Sequence, residues 1–507
     1  MEKSEKLETL PQYFLGDTDP KKVDKILKIR NQDKIEEFRH NIYNLTEKQI
    51  KEVIKTKETE IKPTYKIGTL KDYQTVGVAF MTETKTNFLG DEVGLGKTVQ
   101  VAGTINTYRK ENPNLKYLFL TEKTSVKEIR NKLIQFTGTY VECLPSATKK
   151  DVEEYQERLE KGEHYSVVGG HSLLKNQVFL TLAYKYGFDY IIIDESSNLF
   201  KNTKNIAYQN AKQLFNLIPK RTLLSATPLE LGAVEFFTQL KLMDNSFLPS
   251  LSNCIKDFCV QKPGAFGIMQ VVGYKNEEVF RNKIALKYLA RTRVELGASY
   301  ENNTPKIVVV PMSKEQKHLI RKTSLYQMVY DCPSEVDTKI EFNEETTPKV
   351  KYLLDEINKL DKEQVLVYCR YINVGYKIKD YLNSKGIKTD LINGTVSDIE
   401  ERNKILENFK KGEFQVLLTS VQRGLDIGYV NHTILYSIDS NPQKMVQFEG
   451  RMTREFDIEN KNLTMLVCKG KEEKYIEEIL KERLKASEEF TDQRGESMVK
   501  TLIKNIE

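Results

Sequence analysis

The stretch FLGDEVGLGKT (residues 88–98) decides how the rest of the chain is read. Phe88–Gly90 reads as the end of a strand, and Thr98 onward reads as a helix. Glycines at 94 and 96 let the intervening backbone bend and turn its N–H groups toward phosphate oxygens, and the following helix adds its positive N-terminal end. Lys97 is then placed to reach β- and γ-phosphates, and the Thr98 hydroxyl to bind Mg²⁺. Asp91 stands where the GxxxxGK[ST] pattern has its first glycine. The candidate nucleotide-binding residues here are Asp91, Glu92, Gly94, Leu95, Gly96, Lys97 and Thr98.

Downstream, YIIIDE (190–195) is an apolar strand that ends in two acids. Metal binding and water activation require that arrangement: Asp194 to hold Mg²⁺, through water, and Glu195 to orient or deprotonate the attacking water. A strand end with two acids is weak evidence alone. Behind a phosphate loop it becomes a second half of the same site.

Around these motifs, short β-branched runs alternate with amphipathic stretches. Strands are expected at Tyr117–Thr121, Val167–Gly169, Tyr190–Ile193 and Thr222–Ser225, with helices at 98–109, 124–136, 150–161 and 205–217. The alternation returns after residue 360, with strands at Val365–Cys369, Thr389–Ile392, Phe414–Thr419, Thr433–Tyr436 and Leu463–Val467. Helices fit 373–384, 397–410, 443–452 and 472–485. Such alternation implies parallel sheets covered on both faces. The expected fold is therefore α/β: two tandem doubly wound lobes, a helical N-terminal appendage over residues 1–63 and a helical insertion between the lobes. In the appendage, Asp19-Pro20 has the form of an N-cap acid followed by proline at the first helical position. The expected boundaries are 64–240 for lobe one, 241–305 for the insertion, 306–360 for a connector, 361–485 for lobe two and 486–507 for a polar tail.

Composition narrows the class. A chain of 507 residues that is 39% apolar and 30% charged can bury several ordinary cores and is neither collagen-like nor wholly disordered. It has no run of eighteen apolar residues, and MEKSEKLETL at the N-terminus lacks an apolar signal region. Six cysteines without a CxxC pair fit a reducing cytoplasm better than a disulfide or zinc framework. The net charge of +6 divides as +1 on residues 1–63, +7 on 64–300 and −2 on 301–507. An excess this small is weak evidence for a polyanionic partner.

The motifs together resemble superfamily-two helicases, and within them look most like the Swi/Snf-type DNA translocases; the small helicases of bacteriophages and other viruses are similar. The resemblance covers about residues 65–485. LKDYQTVGV (70–78) resembles the glutamine motif, in which Tyr73 and Gln74 would contact adenine. DEVGLGKT is similar to the Swi/Snf spelling of motif I, where the first glycine is commonly absent. LFLTEKTSVKEI (118–129) lies where motif Ia belongs, with Glu122 in place of a proline. DESSNLFKN (194–202) resembles motif II, with Ser197 where a histidine is usual. LSATP (224–228) resembles motif III in its RNA-helicase spelling. VLVYCR (365–370) resembles motif IV, INGT (392–395) followed by Arg402 a nucleic-acid loop, TSVQRGLD (419–426) motif V, and NP (441–442) with QFEGRMTR (447–454) motif VI.

The resemblance implies ATP in a cleft between the lobes, with Mg²⁺, and places Gly424 and Asp426 on the nucleotide. Gln447, Gly450, Arg451 and Arg454 fall three or four residues apart, on one helix face. Arg451 and Arg454, with planar forks that suit phosphoryl oxygens, are expected to act on the nucleotide together with Gln447. Thr121, Lys123, Ser172, Arg370, Thr395, Thr419 and Ser420 are the expected contacts to a nucleic-acid backbone. The implied partner is DNA, duplex or branched by preference and single-stranded as an option. The expected chain is a monomer with no membrane association, in the cytoplasm, or the host cytoplasm if the source is a phage or virus. Basic residues Arg281, Lys283, Lys287, Arg291 and Arg293 in the insertion are the expected duplex-binding charges. An RNA helicase and a scaffold with weak ATPase activity are the alternatives.

Overall fold

The computed structural model describes residues 19–32, 35–38, 42–56, 67–229, 232–263, 269–293, 295–296, 306–394, 399–420, 427–439, 445, 448–449, 461–470, 472, 474 and 480–481. The chain forms two compact units that divide between Arg291 and Thr292.

The first unit is built on a seven-stranded sheet. Its strands are β1 (Thr86–Leu89), β2 (Tyr117–Thr121), β3 (Val141–Leu144), β4 (Ser166–Gly170), β5 (Tyr190–Ile193), β6 (Lys220–Leu224) and β7 (Tyr288–Leu289), in the spatial order β7-β1-β6-β5-β2-β4-β3. Every pairing is parallel. The central strands β2 and β5 are buried at every position because helices cover both faces, which is the pattern of a buried parallel sheet. One face packs around Leu118, Ile191, Phe179 and Phe236, the other around Phe119, Tyr190, Val101 and Leu133. Because all strands run the same way, every strand delivers its last residues to one edge of the sheet, where ligand sites of such sheets form.

The described part of the N-terminal segment contains the helices Pro20–Arg30 and Glu47–Thr56 and a short strand, Ile42–Tyr43, that pairs with Ile67–Gly68. Asp19 accepts a hydrogen bond from the Lys21 amide and Pro20 opens the helix Pro20–Arg30. Ile26, Leu45 and Val53 are buried in the same cluster as Val101 and Leu133, so this segment completes one face of the first unit.

The second unit holds a six-stranded parallel sheet: β8 (Lys306–Val310), β9 (Val365–Tyr368), β10 (Thr389–Ile392), β11 (Val416–Thr419), β12 (His432–Leu435) and β13 (Asn462–Cys468), in the order β8-β13-β12-β9-β11-β10. The α/β class with two parallel sheets is thus observed directly.

Two segments differ from expectation. Residues 241–305, read as a helical insertion, contain the helices Leu251–Phe258 and Glu277–Ile284. They also contain an antiparallel hairpin, Cys259–Pro263 with Met269–Tyr274, and end in strand β7 at the edge of the first sheet. Lys306–Val310, read as part of a connector, is an edge strand of the second sheet and pairs with β13. For the two edge strands, Tyr288–Leu289 and Lys306–Val310, the pairing partner lies more than a hundred residues away, so a local pattern carries no trace of it. The expected helices at 443–452 and 472–485 fall largely outside the described residues.

Candidate ATP site

Four segments meet at the carboxyl edge of the first sheet. The phosphate loop follows β1 and enters helix α2 (Lys97–Glu111). Gly94 and Gly96 have φ of +92° and +74°, a region L-residues other than glycine seldom occupy. At Gly96 a side chain would also strike Gln74, since a Cβ there lies 2.7 Å from its Nε2. The glycines are therefore required by shape as well as by backbone angle. The Lys97 ammonium donates to the carbonyl of Asp91 at 2.7 Å, which folds it back over the loop. The loop, its lysine and the helix N-terminus together form a cradle of donors for phosphate.

The glutamine-motif helix, α1 (Asp72–Thr84), locks onto that loop. Tyr73 Oη donates to the carbonyl of Leu95 at 3.2 Å, and Gln74 Nε2 donates to the same carbonyl at 3.4 Å. Gln74 Oε1 accepts from the Lys71 amide at 3.0 Å. Gln74 is buried, so in the protein its amide ties helix to loop.

Asp194 and Glu195 follow β5. Asp194 is oriented by Thr121, whose Oγ1 donates to its Oδ2 at 3.2 Å, and by the Glu195 amide, which donates to Oδ1 at 3.0 Å. Its backbone is pinned on both sides: the Asp194 amide donates to Leu120 O at 2.8 Å, and His171 Nε2 donates to Asp194 O at 2.8 Å. Glu195 adopts a left-handed backbone, φ +49°, which costs a non-glycine residue about 1–2 kcal/mol. Among the described residues its Oε2 is buried without a hydrogen-bond partner. A buried carboxylate oxygen in that state suits the acceptance of a proton from water.

Motif III lies between the two, because β6 sits between β1 and β5. Ser197, in the position usual for histidine, places its Oγ 2.9 Å from Ser225 Oγ, so a hydroxyl pair joins motifs II and III. A second bridge runs through Gln239, which accepts from Ser196 Oγ at 2.7 Å and donates to Pro228 O at 3.1 Å. Gln239 and His171 carry no motif spelling and are visible only in three dimensions.

Asp91, the departure from the common phosphate loop, is fully buried and ion-paired. Arg291 grips it with Nε to Oδ1 at 3.0 Å and Nη2 to Oδ2 at 2.6 Å. Breaking such a buried pair by removing one partner typically costs about 3–5 kcal/mol. This corrects the expectation that Arg291 faces duplex DNA. Its companions differ as well: Arg293 is wholly buried, and Lys287 pairs with Asp244 at 3.3 Å and donates to Thr86. Burial lowers the pKa of Lys287 and Lys283.

The candidate nucleic-acid residues separate in the same way. Lys123 and Ser172 are exposed beyond the ends of β2 and β4. Thr121 is buried and engaged with Asp194, and Thr419 is buried at the end of β11. Arg370 and Ser420 are half-buried, with the Arg370 guanidinium 5.6 Å from the Tyr371 ring centroid. Thr395, Gly424, Asp426, Gln447, Arg451 and Arg454 lie outside the described residues.

Residues 73–364 match the SNF2-related domain, and residues 348–455 match the helicase conserved C-terminal domain. One relative is a SWI/SNF-related regulator of chromatin, subfamily A-like protein 1, from Drosophila melanogaster. It is 26% identical over 76% of this chain and 51% of its own length. An uncharacterised ATP-dependent helicase of Bacillus subtilis is 22% identical over 83% of this chain and 78% of its own. The chain spans about half the length of the animal relatives it matches. A solved SWI2/SNF2 ATPase core of Sulfolobus solfataricus in complex with double-stranded DNA has 18% identity and a TM-score of 0.39, covering 78% of this chain and 87% of that one. With more than half of its length matched by one family model and the phosphate loop, paired acids and motif III assembled at one sheet edge, the chain belongs to the SNF2-related family of superfamily two.

Proposed function

We propose that this ATPase is a motor on DNA, acting on duplex or branched molecules and coupling hydrolysis to movement, remodelling or strand separation. The observation that carries the reading is the Swi/Snf form of the phosphate loop, with Asp91 in place of glycine, in a chain of that family. The FKN triplet at 200–202 and the long segment between motif III and the second sheet add support. So do the names of relatives, among them a chromodomain-helicase-DNA-binding protein of Danio rerio.

The chemistry follows from the residues of the first unit. Lys97 and the loop amides bind the β- and γ-phosphates. The donor set also fits Mg²⁺, which takes one or two carboxylates and keeps waters and phosphate oxygens as its other ligands. Thr98 and Asp194 would hold it, the latter already oriented by Thr121. When bound, the metal neutralises charge between the β- and γ-oxygens. Glu195, its Oε2 unpartnered, orients the attacking water and accepts its proton. Arg451 and Arg454 are proposed to neutralise the charge that develops on the transferred phosphoryl group.

An ATPase panel with duplex DNA, a four-way junction, single-stranded DNA and RNA tests this reading. Duplex or junction DNA is expected to stimulate most. Stimulation by RNA above every form of DNA overturns the assignment, and the RNA-type spelling of motif III would then be the better guide.

A further inference from the structure

Asp91 poses a physical problem. A carboxylate that is wholly buried must be paired with a cation or lose its charge. The chain supplies the cation from Arg291, two hundred residues later, just beyond edge strand β7. The guanidinium does more than neutralise. Besides its fork on Asp91, Nη2 donates to Gln100 Oε1 at 2.8 Å, and Nη1 donates to the carbonyl of Tyr73. Gln100 in turn donates to Asp91 Oδ2 at 2.9 Å and to Leu95 O at 3.3 Å. The backbone carbonyl of Arg291 accepts from the Glu92 amide at 2.9 Å. Room for the cluster exists because residue 77 is glycine: a Cβ there would lie 1.8 Å from Gln100 Oε1. One side chain therefore fixes the first residue of the phosphate loop, the helix that follows it and the glutamine-motif segment. Lys97 rests on the carbonyl of that same Asp91, so its anchor moves if Asp91 moves.

We propose that Arg291 is a positioning residue for ATP: it sets the phosphate loop through Asp91 and joins the loop to the glutamine motif, and it makes no contact with nucleic acid. The proposal rests on the ATP-site reading above. Arg291 acts on the nucleotide only through Asp91, Gln100 and Tyr73. Arginine is specific here because lysine, with one compact ammonium, cannot reproduce a planar fork shared among four acceptor atoms on three residues.

The test is steady-state ATP hydrolysis by the full chain, with thermal melting as a check on folding and duplex-DNA affinity measured alongside. Arg291→Gln is expected to raise KM for ATP at least tenfold, lower kcat at saturating ATP by less, and leave duplex affinity within twofold. Arg291→Lys should fall between that variant and the wild type. Adding Asp91→Asn to Arg291→Gln removes the stranded charge, and should recover most of the lost KM. A defect that is merely structural would lower the melting temperature together with activity, whereas the positioning role raises KM in a protein that melts as the wild type does. If Arg291→Gln does not fold, Arg291→Lys decides, with at least a threefold rise in KM at unchanged melting temperature expected. A folded Arg291→Gln or Arg291→Lys protein with wild-type KM overturns the proposal, as does loss of duplex affinity with KM unchanged. Lys97→Ala separates this from the underlying reading: if that variant still turns over ATP, the site itself is misassigned whatever Arg291 does.

Discussion

At the scale of single residues, the site divides its labour between binding and chemistry. Lys97→Ala removes the cation that faces the phosphates, so ATP turnover is expected to be abolished, with nucleotide affinity falling in a filter or fluorescence assay. Glu195→Gln is expected to behave differently. The amide keeps the shape but cannot take a proton, so binding should persist while turnover falls by several orders of magnitude. Near-normal turnover in the Gln variant would remove Glu195 from its role. The backbone turns left-handed at Glu195, directly after the Asp194 carbonyl that accepts a hydrogen bond from His171.

Among elements, two charged clusters follow opposite physics. In the second unit, Lys349 on the helix Pro348–Asn358 is wholly buried and bonds Asp331 at 2.9 Å, Glu472 at 3.0 Å and the carbonyl of Tyr436 at 3.1 Å. Burial works against the ammonium, yet the two acids hold its pKa well above the ordinary lysine value. Two carboxylates facing one cation leave one negative charge in excess. Burial accordingly pushes Glu472 up to about 7, with Lys349 opposing the rise and Asp331 adding to it. A raised carboxyl pKa favours the folded state below the unfolded value of 4.5, and that contribution is lost as pH rises through about 7. The second unit should therefore melt at lower temperature at pH 8 than at pH 5, by a contribution on the order of 2 kcal/mol. Glu472→Gln should flatten this dependence and raise the melting temperature at pH 8. An unchanged pH profile would mean that the excess charge is neutralised elsewhere.

The hairpin Cys259–Pro263 with Met269–Tyr274 presents the other case, charge that remains in water. Lys262 on its first strand and Lys275 just after its second are exposed. With Arg291 and Lys287 engaged inside the first unit and Arg293 buried, these lysines are the better candidates for duplex attraction. Lys262→Gln with Lys275→Gln should weaken duplex binding and reduce the salt slope by about 0.9 for each phosphate no longer neutralised. ATP turnover without DNA should be unchanged.

For the whole molecule, the prediction concerns division of labour along the chain. Residues 64–300 carry the phosphate loop, both acids and Arg291, and are expected to bind ATP but to hydrolyse it far more slowly than the full chain. Arginines supplied to phosphoryl transfer contribute roughly 10³–10⁵ in rate, and Arg451 and Arg454 lie outside that fragment. Arg454→Ala in the full chain should lower kcat at least tenfold with a smaller change in ATP affinity. Equal turnover by the fragment and the full chain would show that the arginines take no part.

The sequence by itself determined the two parallel sheets, most strand positions and the place of the phosphate loop at the end of the first strand of its sheet. A buried parallel strand is a dense β-branched run, and a phosphate loop is a contiguous spelling, so YLFLT, YIII and DEVGLGKT carry their meaning locally. Only the tertiary structure decided that Tyr288–Leu289 joins the first sheet and Lys306–Val310 the second, because each pairs with a strand far along the chain. It alone showed Ser197 meeting Ser225, Thr121 serving Asp194, and Arg291 turned inward to Asp91. The physical reason is the same in each case. Whether an arginine faces water or a buried acid depends on a partner brought to 2.6 Å by folding, and spacing along the chain does not record that distance.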